Sequence, residues 1–163
     1  MVSELTSDLT PEFSRAYTIA LKYLGRRARS VREMAIYLKG KHICEEVTEK
    51  VLARLLDAGY LNDTEFARQF IESRTRTKPK STYALKYELR QKGISSAISE
   101  PLLDKYNDED LACRAAASKQ GFWQHLDDET RRKKLMNHLR YRGFDHHTCL
   151  TAWAYFKHLD DTD

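Results

Sequence analysis

The sequence predicts an all-α protein: three tandem three-helix, helix-turn-helix-like repeats forming an elongated, curved array. Three observations carry this expectation. Apolar residues recur at three- and four-residue spacing, and strict alternation over strand length is hard to find. Breakers are few, with six glycines and three prolines in 163 residues. A short phrase also returns at a fixed period: Leu38-Lys39-Gly40-Lys41-His42-Ile43, Leu89-Arg90-Gln91-Lys92-Gly93-Ile94 and Leu139-Arg140-Tyr141-Arg142-Gly143-Phe144. From Leu38 to Leu89 is 51 residues, and from Leu89 to Leu139 is 50. A fixed period of this size is the signature of one small unit copied and stacked.

Nine helices are expected, in three groups. The first group covers about 12–24, 31–41 and 45–58. Pro11 suits a first helical turn, and Tyr17, Leu21 and Leu24 form the first apolar stripe. Ser30 with Glu33 makes a capping box before the stripe of Val31, Met34 and Leu38. Val47, Val51 and Leu55 mark the third helix. The second group covers about 63–75, 81–92 and 96–106. Asp63 and Ser81 are the expected N-caps, and Phe66, Phe70, Leu85 and Leu89 are the core positions. Pro79 lies in a basic connector over residues 74–80. Pro101 falls inside the sixth helix, which must start late or kink there. The third group covers about 108–120, 128–142 and 145–158. It has a longer first connector, residues 120–127, which holds Phe122 and Trp123, and Asp127 or Asp128 caps its second helix. Gly25, Gly59, Gly93, Gly121 and Gly143 each stand where a helix should stop. The expected divisions are therefore a tail over 1–11, repeats over 12–60, 61–106 and 107–159, and a tail over 160–163. A unit of this size is too small to bury a secure core alone, so neighbours must stack.

Composition narrows the function classes. Hydrophobic content of 41% and charged content of 32% describe a globular, charge-rich chain. No apolar run approaches the length of a membrane span, and the N-terminus does not read as a signal peptide. Cys44, Cys113 and Cys149 are odd in number and widely spaced, which points to reduced thiols in a cytoplasmic protein. Nothing in the sequence demands a dimer, so a monomer is expected.

Charge is sorted by helix. Residues 22–41 hold seven basic residues against Glu33, residues 74–92 hold seven against Glu88, and residues 130–142 hold six against none. The third helices are acidic instead: residues 95–112 carry five acids and only Lys105. The middle helix of each unit, with the loop before it, is thus basic in phase with the repeat. The candidate contact residues are Arg26, Arg27, Arg29, Arg32, Lys39 and Lys41 in the first unit. In the second they are Arg74, Arg76, Lys78, Lys80, Lys86, Arg90 and Lys92. In the third they are Arg131, Arg132, Lys133, Arg140 and Arg142. Equivalent helices of a stacked array share a face, so a discontinuous basic stripe is expected, suited to a phosphate backbone or an acidic protein groove. Two plainer readings stay open: solvated helix faces, and pairing between basic and acidic helices of neighbouring units.

A search for chemistry finds little. The sequence lacks a phosphate-cradling glycine loop and a nucleophile elbow. His146 and Cys149 share a helix face, but a metal site needs further ligands at suitable spacing. The acids at 108–110 and 127–129 stand at helix starts, where the helix dipole favours them. No catalytic residue, cofactor or metal is expected. Trp123 packing on its own unit is the simpler reading beside base stacking. Tyr17, Tyr23, Tyr37, Tyr60, Tyr83, Tyr87 and Tyr106 are read as core.

The segment Gly59-Tyr60-Leu61-Asn62-Asp63-Thr64-Glu65-Phe66-Ala67-Arg68-Gln69-Phe70-Ile71-Glu72-Ser73-Arg74 resembles the central motif of the RecX family. Glu88-Leu89-Arg90-Gln91-Lys92-Gly93-Ile94 resembles that family's second hallmark. Asn62 stands where an acid is usual, Lys78-Pro79-Lys80-Ser81 replaces a connector that often holds glycines, and His42 replaces a repeat glycine. The resemblance implies tandem three-helix repeats and a modulator, usually an inhibitor, of the RecA recombinase, docked in the groove of the RecA–DNA filament. With the basic stripe, DNA contact is also expected, single- or double-stranded, through phosphates and weak or non-specific. By match the family's basic positions fall on Arg74, Arg90 and Lys92, and by repeat equivalence on Lys39, Lys41, Arg140 and Arg142. The alternative is a sequence-reading helix-turn-helix DNA-binding module, which needs Arg, Asn or Gln on one recognition face. The basic helices are richer in Lys and Arg than in Asn and Gln, which suits phosphate contact better.

Overall fold

A computed structural model describes residues 10–160; residues 1–9 and 161–163, the greater part of the two expected tails, lie outside the described residues. Among the described residues the chain is ten helices without a strand. Unit 1 holds α1 (Pro11–Leu24), α2 (Val31–Gly40) and α3 (Glu45–Asp57). Unit 2 holds α4 (Asp63–Thr77), α5 (Thr82–Gln91) and α6 (Ser96–Leu103). Unit 3 holds α7 (Asp108–Ala117), α8 (Gln120–Trp123), α9 (Asp128–Tyr141) and α10 (His146–Asp160). The buried side chains form three clusters, one per unit, which include Leu38, Leu89 and Leu139, each fully buried. Burying a leucine side chain contributes about 1.5–3 kcal/mol.

The helix starts follow local chemistry. Thr10 Oγ1 accepts from Phe13 N at 3.1 Å, with Pro11 at the first helical position. Ser30 and Glu33 close the expected capping box. Ser81 accepts from Ala84 N, and Asp127 accepts from Thr130 N. One cap moves by a residue: Asn62, not Asp63, accepts from Glu65 N at 3.0 Å. That shift frees the Asp63 carboxylate for a task in another unit.

Two other expectations are corrected. A tenth helix, α8, fills part of the long connector, and Gly121 sits inside it, so α7 stops at Ala117 instead. Trp123 anchors this turn, edge-on to His138 with ring centroids 5.9 Å apart, and so packs on its own unit. Gly25 follows the end of α1 as expected, with a φ of −61°, and Gly59, Gly93 and Gly143 take positive φ. Pro101 lies well inside α6, which excludes a late start. Proline has no N–H to give the preceding turn, and α6 ends two residues later at Leu103, short of the expected 106.

The recurring phrase is a helix C-terminal motif. In each copy the last apolar residue returns its N–H to the first leucine's carbonyl. Ile43 N reaches Leu38 O at 3.2 Å, Ile94 N reaches Leu89 O at 3.0 Å, and Phe144 N reaches Leu139 O at 3.2 Å. The residue before it takes positive φ: 60° at His42, 83° at Gly93 and 86° at Gly143. This closes orphan carbonyls and folds the terminal Ile or Phe back onto the core.

The same phrase also joins the units. The turn of unit 2 rests on the N-terminus of α2, where Ser30 Oγ donates to Lys92 O at 2.7 Å. Val31 N donates to Asp63 Oδ1 at 2.9 Å. The turn of unit 3 rests in the same way on the N-terminus of α5. There Ser81 N donates to Arg142 O at 3.1 Å, and Thr82 N donates to Asp108 Oδ1 at 2.7 Å. Residues one repeat apart thus build one joint twice. Each joint satisfies N–H groups that a helix start leaves orphaned. The glycines are needed for contact as well as for φ. A Cβ on Gly93 would stand 2.6 Å from Arg32 Cβ, and one on Gly143 would stand 2.8 Å from Ala84 Cβ. His42 opens the row with no described unit before it, so a side chain fits there.

Candidate interaction surface

The basic residues of the three middle helices divide into those held by the protein and those left free. Arg27 reaches Glu33 with two hydrogen bonds, at 3.2 and 3.1 Å, and Lys92 joins the same carboxylate from unit 2 at 2.9 Å. Burial pushes the Glu33 carboxyl up, but the Arg27 and Lys92 hydrogen bonds, the Lys92 charge and the Ser30 N–H together outweigh it and hold it at about 2. Burial also raises the Asp63 carboxyl; the Val31 N–H works against that, and the nearby Glu33 charge adds to it. Lys80 and Arg74 pair with Glu88, Lys86 with Glu100, and Arg131 with Asp128. Arg142 donates to Pro79 O at 3.1 Å and to His138 Nε2 at 2.9 Å. Burial, then the charges of Arg142 and Lys119, hold His138 down at about 4, so it stays neutral and able to accept.

Two more cations lie on rings. Arg29 stacks 3.8 Å over Tyr23, which stacks on Tyr37 with centroids 3.7 Å apart, and Lys41 lies 5.4 Å from Tyr37. The result is a four-layer ladder that fastens α1 and the loop after it to α2.

The remaining candidates, Arg26, Arg32, Lys39, Arg76, Lys78, Arg90, Arg132, Lys133 and Arg140, are exposed and have no ion pair among the described residues. Lys39, Arg90 and Arg140 occupy the same place in each copy of the phrase. The phrase's two basic residues therefore split. The later one (Lys41, Lys92, Arg142) is bound into the fold, while the earlier one is free in all three units.

Beside the free cation runs a groove between the middle and third helices. In unit 1 it is 280 Å3 and is lined by Ala35, Lys39, Ile43, Glu45 and Thr48. In unit 2 it is 270 Å3, and its lining includes the residues 51 positions on: Lys86, Arg90, Ile94, Ser96 and Ser99. Tyr83 and Tyr87 border this second groove. A separate 540 Å3 cleft lies at the first joint, around Phe66 and Phe70, but there Arg27 and Lys92 are paired with Glu33 and Arg74 with Glu88.

Reading Tyr17, Tyr23, Tyr37, Tyr60, Tyr83, Tyr87 and Tyr106 as core misplaced three of them. Tyr60, Tyr83 and Tyr87 are exposed. Tyr83 and Tyr87 stand two residues before Leu85 and Leu89, which puts them about 200° around the helix from the buried stripe. That offset is legible in the sequence. Among the described residues no group of His, Cys, Asp and Glu is placed to hold a metal, and no helix is long and apolar enough to cross a membrane.

Comparison with known proteins agrees with this architecture. Residues 16–55 match the family model described as RecX, first three-helix domain, and residues 62–101 match RecX, second three-helix domain. The regulatory protein RecX of Prosthecochloris aestuarii is 46% identical over 134 residues, covering 82% of this chain and 88% of that protein. That of Chlorobium phaeobacteroides is 40% identical with the same coverage. The crystal structure of RecX from Lactobacillus salivarius shares the fold, with a TM-score of 0.73 at 23% identity, covering 90% of this chain and 97% of that one. The joint-forming repeats, the two matched three-helix domains and these identities together establish that the chain belongs to the RecX family of regulatory proteins.

Proposed function

We propose that this chain acts as a monomer in the cytoplasm, without catalysis of its own, and restrains the RecA recombinase by docking on the RecA–DNA filament. The observation that carries this reading is the free cation recurring once per unit at Lys39, Arg90 and Arg140. Two equivalent joints hold the units in series, so these cations repeat along the body. A body with a repeating charged feature suits a partner that repeats as well, as a helical filament does. The cations would meet phosphates or acidic side chains without reading bases.

Sequence reading of duplex DNA fits less well. The N-termini of α2 and α5 lie under the turns of the following units. The first turn of α3 carries Glu45 and Glu46, which would face phosphate oxygens in a major groove. RecA's ATPase activity on single-stranded DNA tests the proposal. Stoichiometric protein should lower the rate and halt filament growth, and unchanged values for both would overturn the reading.

A further inference from the structure

We propose that the α5–α6 groove of unit 2 binds single-stranded nucleic acid, with bases stacking on Tyr83 and Tyr87 and a phosphate held by Arg90. This deepens the filament reading by naming what one face of unit 2 takes, and it rests on the DNA contact included there.

Tyr83 and Tyr87 are 76% and 58% exposed. They lie one helical turn apart, so their Cβ atoms are about 5–6 Å from each other. Neither ring packs on another ring or a cation, and neither hydroxyl has a hydrogen bond among the described residues. Each ring has a cation one turn further on: Lys86 after Tyr83, and Arg90 after Tyr87. Arg90 is unpaired and supplies the phosphate contact, whereas Lys86 is paired with Glu100. Ile94, Ser96 and Ser99 complete the 270 Å3 groove.

The fold does not require these rings. One repeat away the same positions hold Arg32 and Ile36 in unit 1, and Lys133 and Asn137 in unit 3. The aromatic pair belongs to unit 2 alone, whereas Arg90 belongs to the free-cation series. Two exposed rings alternating with cations match the two faces of a single strand, π-surfaces and phosphates. A duplex keeps its base faces stacked internally, so it would meet the cations only.

The test is fluorescence anisotropy of a labelled thymidine oligonucleotide and of an abasic strand of the same length, without RecA and at fixed salt. Tyr83→Ala/Tyr87→Ala should weaken thymidine-strand binding about tenfold or more. Tyr83→Phe/Tyr87→Phe should restore it, and wild-type protein should bind the abasic strand no better than the Ala variant does. Equal affinity of wild type and the Ala variant for the thymidine strand, or of wild type for both strands, overturns the proposal. Thermal melts of the variants should match wild type, because both side chains are exposed.

RecA ATPase measurements on the same variants separate the two readings. If the Ala variant binds the oligonucleotide normally but no longer restrains RecA, the rings meet protein and the proposal fails while the filament reading stands. If ring-dependent strand binding is present but wild type leaves RecA untouched, the filament reading fails and this one stands.

Discussion

Gly93 of unit 2 lies against Arg32 of unit 1 so closely that a Cβ on the glycine would stand 2.6 Å from Arg32 Cβ. Gly143 repeats the relationship against Ala84. Gly93→Ala and Gly143→Ala should each destabilise the protein by roughly 2 kcal/mol or more, through the left-handed φ and the contact together. His42→Gly, at the copy with no described unit before it, should shift stability by about 1 kcal/mol or less. Denaturant midpoints of the three variants check this. Equal effects at positions 42, 93 and 143 would remove the joint as the reason for the glycines.

Adjacent residues of the phrase should separate stability from binding. Leu89 is fully buried, and Leu89→Ala should cost about 2–5 kcal/mol. Arg90→Glu, next to it but exposed and unpaired, should change stability by about 0.5 kcal/mol or less. Lys92→Glu should behave as a joint mutation, because Lys92 bridges to Glu33 of the neighbouring unit. Thermal melts of the three variants give the ranking directly.

Acid should loosen the first joint. The Glu33 carboxyl is held at about 2 in the fold against an ordinary 4.5. The unfolded chain therefore takes up the proton first as pH falls, and the stability from this group, complete above 4.5, drains away towards pH 2. Glu33→Gln should be less stable than wild type at neutral pH and should converge with it in that acid window. Melting temperatures measured from pH 6 to about pH 2 would show convergence, and a constant difference would contradict the account.

His138 should act in a higher window. It is held at about 4 against an ordinary 6.5, neutral beside Arg142. Unfolding lets it take up a proton between those values, so stability is complete above 6.5 and falls as pH drops towards 4. His138→Gln keeps an acceptor for Arg142 and cannot titrate. It should flatten the melting temperature over this window relative to wild type.

The helices were legible because their apolar stripes and caps are local: Ser30 with Glu33, Leu85 with Leu89, Asp127 ahead of α9. The phrase was legible as a period and as a helix end. What it does for its neighbour was not, since the approach of Gly93 to Arg32 joins residues 61 positions apart. Asp63 looked like a cap because it opens a helix, yet Asn62 takes that role and Asp63 reaches α2 instead. The basic blocks were legible as charge but not as two classes. Whether a lysine is free depends on Glu33, Glu88 and Tyr37, which only the fold brings within reach. The exposed tyrosines follow from an offset of two residues that composition alone hides.

The most direct test concerns the free member of each basic pair. Lys39→Glu/Arg90→Glu/Arg140→Glu leaves every ion pair of the joints intact and should melt like wild type. In a RecA ATPase assay on single-stranded DNA, this variant should lose the restraint that wild type exerts, with the loss growing smaller as salt screens the wild-type contacts. A well-folded triple variant that restrains RecA as strongly as wild type would contradict the assignment of these three residues as the contact strip.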